Sequence, residues 1–206
     1  MNVADKLKHV AENMQKVYDA GKAAGGYTDG YEAGRKAEYD RFWDLFQENG
    51  KRGHYAYAFY RWTDEIFTPK YDIAMTLNAF FVFYASKITV VNAKIIAADV
   101  TLDNTFGNCQ IHTITYLQLA DVTRYNATFT KASKLQNLNI VGTIGQNGFN
   151  VSACPLTHSS LMSIINALKD YSGSGATYTV TLGTANLAKL TTAEKAVATQ
   201  KGWTLA

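Results

Sequence analysis

The sequence is poor in two residue types that often dictate a fold by themselves: its 206 residues include two Pro and two Cys. With 47% hydrophobic residues, that composition excludes a collagen-like chain, a disulfide scaffold and a disordered tail. Long apolar runs are missing too. The longest lies around Ala79–Ala85, far short of the roughly 20 residues a membrane-spanning helix requires. Met1–Val17 interleaves Lys, Asp and Glu with single apolar residues, so neither a signal peptide nor membrane insertion is expected. A surplus of one charge is also lacking: 20 basic and 17 acidic residues leave +3, too balanced to point to nucleic acid as a partner.

What charge there is gathers at one end. Twelve of the acidic and 11 of the basic residues fall within residues 1–72, leaving five and nine for residues 73–206. The later stretch is rich in Thr and Asn instead, a different route to solubility.

Residues 1–50 read as a helical segment. Val3, Leu7, Val10, Met14 and Val17 are spaced 4, 3, 4, 3, the alternation of a heptad seam. Such a stripe can dock on its own domain or pair with a second copy, and a homo-oligomer through this helix is the sharper expectation. Gly25-Gly26 marks a hinge, and a second helix is expected over about 29–47, ended by Asn49-Gly50. From Tyr55 to Tyr84 the chain is dense in aromatics, better suited to core packing than to a ligand platform because each ring buries so much apolar area.

Residues 51–148 carry a repeat. Phe83, Phe106 and Phe129 stand 23 residues apart, and each precedes an apolar triple spaced i, i+3, i+5. The triples are Ile88, Val91, Ala93, then Ile111, Ile114, Tyr116, then Leu135, Leu138, Ile140, with a weaker first copy at Ile66, Pro69, Tyr71. One strand with a loop cannot bury its own apolar face, so such copies stack as a parallel ladder, about 4.8 Å between strands, with the phenylalanines in a column on the return side. Cys109 and Cys154, two repeats apart, are then both in the core and too far apart for a disulfide.

Thr105–Ile114 (TFGNCQIHTI) resembles the Phe-x-x-Cys-x-x-Leu-x-x-Ile core of BspA-like leucine-rich repeats, and Lys134–Ile140 (KLQNLNI) matches the general Leu-x-x-Leu-x-Leu strand. The copies depart from it at the Cys position, occupied by Ser86 and Ala132 in the neighbouring repeats. The C-terminal tail, with its Asn-Ala-Leu helix and closing Gly-Trp-Thr-Leu, is similar to the ends of BspA-like proteins of prophages and gut Firmicutes. The resemblance implies an α/β fold: a short leucine-rich-repeat solenoid of about four parallel rungs, with N-terminal helices and an α/β C-terminal cap. It also implies a phage or prophage virion-associated protein of tail-tip or receptor-binding type, made in the bacterial cytoplasm and outside the cell only after lysis.

Residues 149–206 read as the cap, continuous with the repeats. Thr157 begins a helix through Leu161, Ile164, Ile165 and Leu168 that closes near Ser172-Gly173. Thr177–Leu182 alternates as a strand, Thr191 and Glu194 form a capping box for a helix to Lys201, and Trp203–Leu205 pairs or packs at the edge.

No residue set calls for catalysis or a cofactor. Cys109-x-x-His112 is half of a zinc pattern whose other half, Cys154 and His158, has the wrong spacing. Ser159-Ser160 beside His158 lacks a nucleophile elbow, and Gly142–Gly148 lacks the Lys-Ser/Thr of a phosphate loop. What remains is a surface. The outward positions of the ladder include Thr89, Asn92, His112, Thr113, Thr115, Gln136, Asn137 and Asn139, a neutral polar face suited to a protein or glycan receptor. Two other roles fit the same residues: a self-assembling structural protein, and an intracellular inhibitor of a bacterial defence protein.

Overall fold

The computed structural model describes Asp44 and, from Tyr55 to Ala206, every residue except Tyr57, Thr63, Asp64, Ile66, Thr68, Lys70 and Asn78. The chain divides into two units, Met1–Arg52 and Gly53–Ala206. The heptad seam at Val3, Leu7, Val10, Met14 and Val17, the Gly25-Gly26 hinge and, apart from Asp44, the helix over 29–47 lie outside the described residues.

The second unit is α/β. Its four-stranded parallel sheet has the order β1 (Ile73–Met75), β2 (Val90–Ala98), β3 (Thr113–Ala120), β4 (Asn137–Gly142). Val, Ile, Thr and Tyr make up about half of β2 and β3, branched and aromatic side chains that fit a pleated surface. Ile73, Ile95, Leu117 and Ile140 stand in register across all four strands and are buried.

The inward positions differ in part from the sequence expectation. Ile88, Ile111 and Leu135, then Val91, Ile114 and Leu138, are buried as predicted, but Ala93 and Tyr116 are only half-buried, and Ile95 and Leu117 take the inward places instead. Irregularities in the pairing explain this. Three residues separate Val91 from Ile95, two separate Ile114 from Leu117, and one separates Leu138 from Ile140, so each successive strand sheds a residue between two inward positions. Only β4 keeps the i, i+3, i+5 spacing. The first copy is also displaced: Ile66 lies outside the described residues, Pro69 and Tyr71 are half-buried, and the inward residues there are Phe67, Ile73 and Met75.

On the return side Phe59, Phe83, Phe106 and Phe129 form one column, with ring centroids 5.1, 5.3 and 5.3 Å apart and nearly parallel planes. The corners around this column pair from one turn of chain to the next. Phe83 N–H donates to Thr105 O and Phe106 N–H to Thr128 O, while the buried hydroxyls of Thr105 and Thr128 donate to Ala79 O and Leu102 O. Left-handed residues flank each ring at Phe81, Asn104 and Ala127 on one side and Arg61, Ala85, Asn108 and Lys131 on the other, turning the chain in and out of the column.

Beside that column Ser86, Cys109, Ala132 and Cys154 are all buried, and both thiols are free. The Cys109 thiol donates to Phe106 O at 3.1 Å, whereas the Ser86 hydroxyl is buried with no partner. Ser86→Cys is therefore expected to stabilise the fold by about 1 kcal/mol, since it removes an unsatisfied hydroxyl from the interior. Urea denaturation measures it, and a destabilised variant would contradict the account.

Burial pushes the Cys109 thiol up to about 11 and the Cys154 thiol up to about 12. A raised acid pKa means that the folded state holds its proton longer than the unfolded chain does. The associated stability is whole below the unfolded thiol pKa near 9 and drains away as pH rises through 11 and 12. The expected results are an unfolding midpoint that falls above pH 9 and thiols that react with a disulfide reagent at pH 8 only after denaturant is added. Rapid reaction of the native protein would refute both.

The C-terminal elements close the sheet. Helix α1 (His158–Ala167) packs on β4, with Leu161, Ile164 and Ile165 buried. Two of its serines cover the β4 edge: Leu138 N–H donates to Ser160 Oγ at 2.9 Å and Ile140 N–H to Ser163 Oγ at 2.6 Å. An otherwise open strand edge is thereby satisfied. The helix ends at Ala167, earlier than the Ser172-Gly173 expected, because Leu168 turns extended and bridges to Ile144. Strand β5 (Tyr178–Val180) is shorter than Thr177–Leu182 and pairs in parallel with β6 (Trp203–Leu205). Between them lie α2 (Thr184–Leu187) and α3 (Thr192–Gln200), the latter begun by the Thr191–Glu194 capping box. Buried Asn186 ties this block down, its amide donating to Cys154 O at 2.8 Å and Leu182 O at 3.0 Å. The Lys201 ammonium donates to Ile165 O and Asn166 O at the end of α1, a cation where the helix dipole is negative.

Candidate functional site

Side chains alternate across a strand, so burial of one set puts the other on the outer face. Two polar rows result. In the first, Val90, Thr113 and Asn137 stand in register; Asn137 Nδ2 donates to Thr113 Oγ1 at 3.3 Å, and Thr157 Oγ1 donates to Asn137 Oδ1 at 3.5 Å. In the second, Thr115 Oγ1 bonds Val91 O at 3.3 Å and Asn92 Oδ1 at 3.5 Å, while Asn139 Nδ2 donates to Thr115 O at 3.1 Å. Asn92, His112, Thr115, Gln136, Asn137 and Asn139 are exposed, and Thr89 and Thr113 are half-buried. All eight sequence-predicted residues thus fall on one side of the ladder. Val90, 42% exposed, is an apolar member of that side.

The face extends beyond the predicted set. Lys94 opposes Tyr116, and Ile96, Gln118 and Val141 stand in register, all half-buried. The Lys94 ammonium lies 5.3 Å from the Tyr116 ring centroid, a cation–π contact, and Tyr116 Oη donates to Gln118 Oε1 at 3.4 Å. The triples hid this row because they placed Tyr116 inside. The Leu117-Gln118-Leu119 alternation is the signal that could have exposed it.

At the strand N-termini the face runs into an open groove of about 530 Å³ lined by Glu65, Lys87, Thr89, Asn108, Gln110 and His112. Here the Thr89 hydroxyl donates to Glu65 O at 3.2 Å. The groove adds one acid and one base to an otherwise neutral surface.

Comparison with protein-family models, with curated proteins and with solved structures finds no significant match to this chain.

The aromatic cluster is the rival surface. Tyr55, Phe59, Phe67 and Phe83 are core residues. Tyr60 and Tyr84 stack at 5.8 Å with Phe81 against Tyr84, and the Arg61 guanidinium lies 5.2 Å from the Tyr60 centroid. Tyr84 also lies against Gly107, where a Cβ would come within 2.9 Å of its ring. These rings cover backbone and one another.

The residues of the half zinc pattern differ in exposure, and His158 and Ser160 are engaged elsewhere. Cys109 is buried and His112 exposed. His158 Nε2 pairs with Glu194 Oε1 at 2.8 Å, and the Ser160 hydroxyl is occupied by the β4 edge. Thr191 N–H and hydroxyl, followed by His158, hold the Glu194 carboxyl below its ordinary range. Among the described residues no group of three or more His, Cys, Asp or Glu is placed to hold a metal ion, and no helix is long and apolar enough to cross a membrane.

Proposed function

We propose that residues 51–148 are a short leucine-rich-repeat solenoid of BspA-like type, and that the protein is a non-enzymatic binding protein whose β2–β4 outer face engages a protein or glycan. The observation that carries this reading is the pair of hydrogen-bonded polar rows, Thr113–Asn137–Thr157 and Asn92–Thr115–Asn139. Short amides and hydroxyls already held in place lose little side-chain entropy when a ligand arrives. The remaining capacity at Asn92, His112 and Gln136 faces solvent. The resemblance supplies the setting, a phage or prophage virion whose tail-tip or receptor-binding protein recognises a bacterial surface, with the seam at Val3–Val17 as the oligomerisation element.

A self-assembling structural role is the second reading, favoured by the same cross-strand bonds, which would equally stiffen a spacer. The triple variant Thr113→Ala, Gln136→Ala, Asn137→Ala separates the two. Binding of fluorescently labelled protein to whole Firmicute cells should weaken on the order of tenfold or more, with a stability loss of only about 1 kcal/mol from the Asn137–Thr113 bond. Unchanged cell binding by the variant, or none by the parent protein, would overturn the recognition reading.

A further inference from the structure

The slips between the strands gather side chains at one place on the outer face. Between the inward pair Val91 and Ile95, β2 holds Asn92, Ala93 and Lys94; between Ile114 and Leu117, β3 holds Thr115 and Tyr116; between Leu138 and Ile140, β4 holds Asn139 alone. Lys94 pairs with Tyr116 across this wedge. Tyr116 occupies the third place of its triple, where Ile140 of the next copy is buried, and the slip leaves its ring only half-buried. Irregularities of this kind re-aim side chains and recur beside functional sites.

The hydrogen bonds already made in the wedge fix what is left for a ligand. Asn92 Oδ1 accepts from the Thr115 hydroxyl, leaving Asn92 Nδ2; Asn139 Nδ2 donates to Thr115 O, leaving Asn139 Oδ1; Gln118 Oε1 accepts from Tyr116 Oη, leaving Gln118 Nε2. Lys94 is the only charged residue of β2, β3 and β4. Among the described residues no carboxylate pairs with its ammonium, which lies 5.3 Å from the Tyr116 ring centroid. Glu65 stands beside Thr89, five residues before Lys94, roughly 16 Å along a strand. An ammonium, two amide donors, an amide acceptor and an aromatic ring therefore lie together with no acid among them.

We propose that this wedge binds an acidic saccharide. The Lys94 ammonium takes the carboxylate, Asn92 Nδ2 and Gln118 Nε2 donate to hydroxyls, Asn139 Oδ1 accepts from one, and the Tyr116 ring meets C–H groups of the sugar. A hydroxyl both donates and accepts, so a polyol serves amide donors and an amide acceptor set side by side. A protein contact instead centres on large apolar anchors in a desolvated pocket, whereas the ring here is bordered by amides and an ammonium. This assignment rests on the reading of the β2–β4 outer face as a recognition surface and narrows its ligand from protein or glycan to an acidic glycan.

Binding of the full chain to an immobilised panel of uronic-acid, sialic-acid and muramic-acid oligosaccharides, each beside its carboxyl-reduced form, provides the test. At least one acidic member should bind, and binding should fall on the order of tenfold or more on carboxyl reduction, in Lys94→Gln and in Tyr116→Ala. Tyr116→Phe, which keeps the ring, should stay within about threefold of the parent. Lys94→Gln, a change on the outer face, should leave the unfolding midpoint in place. In ¹⁵N spectra the side-chain amides of Asn92 and Gln118 should shift when that oligosaccharide is added. No acidic member bound, equal binding of the reduced form, undiminished binding by Lys94→Gln, or polyglutamate bound as tightly as the saccharide would overturn the assignment. The recognition reading is decided separately by cell binding of the Thr113, Gln136 and Asn137 triple variant: if the parent binds cells, the triple variant does not, and no acidic saccharide binds, the face stands and its acidic-glycan ligand falls.

Discussion

Phe106→Ala is expected to cost about 3–5 kcal/mol, a large part of the roughly 5–15 kcal/mol that holds a domain together. Phe106 is fully buried, with Phe83 and Phe129 each 5.3 Å away and tilted by only 7° and 8°. Truncation opens a cavity in the middle of the column and removes two ring contacts at once. Neighbouring turns have little room to collapse, because their corners are tied by the Phe83–Thr105 and Phe106–Thr128 main-chain bonds. At about 2–4 °C per kcal/mol for a chain of this size, the midpoint should fall by roughly 10 °C or more. Phe106→Leu, which refills most of the volume, should lose less than half as much. A loss under about 1 kcal/mol for the alanine variant in urea denaturation would show that the column is not a principal source of stability.

Gly142→Ala is expected to cost about 3 kcal/mol, although Gly142 is exposed and exposed substitutions usually stay within about 0.5 kcal/mol. Its φ is +88°, and an added Cβ would fall 2.2 Å from Leu119 O, a backbone atom that cannot rotate away. Gly142 pairs with Leu119 at the last register position of β3 and β4, and Thr143 N–H donates to the same carbonyl at 2.9 Å. Relief of the clash must part the strands there, adding the loss of that bond to roughly 1–2 kcal/mol of left-handed strain. Gly148→Ala, with φ +92° but no atom nearer than 4.0 Å, should lose only the strain, and Gly173→Ala, with nothing within 4 Å, should be near neutral. Chemical denaturation of the three variants should rank them in that order. Gly142→Ala as mild as Gly173→Ala would refute the close approach.

Glycine and phenylalanine mark how much of this protein is legible in one dimension. The 23-residue spacing of Phe83, Phe106 and Phe129 is a sequence fact, and stacking is its direct consequence, since residues one repeat apart occupy the same place on successive turns. The capping box at Thr191 and Glu194 was legible for a similar reason, because both partners lie within one helical turn. In the sequence Gly142 is only one glycine of a glycine-rich corner, as the atom that forbids a side chain there belongs to Leu119, 23 residues earlier.

The candidate face divides the same way. Thr89, Asn92, His112, Thr113, Thr115, Gln136, Asn137 and Asn139 were legible because Ile88, Val91, Ile111, Ile114, Leu135 and Leu138 define the inward phase around them. Lys94, Tyr116 and Gln118 were not, because the phase slips after Val91 and Ile114 by a different number of residues in each strand. Periodicity carries no mark of a slip that only the neighbouring strand's hydrogen bonds determine.

The sequence by itself determined the repeat length, the stacking of Phe83, Phe106 and Phe129, the neutral polar character of the outer face and the starts of α1 and α3. All of these depend on chemistry repeated at fixed spacing or contained within one turn of chain. The tertiary structure alone decided where each strand sheds a residue, how Ser160 and Ser163 cover the β4 edge, and that α1 stops where Leu168 bridges to Ile144. Those outcomes depend on which distant backbone groups compete for the same hydrogen bonds, and that competition is resolved only when the turns lie side by side.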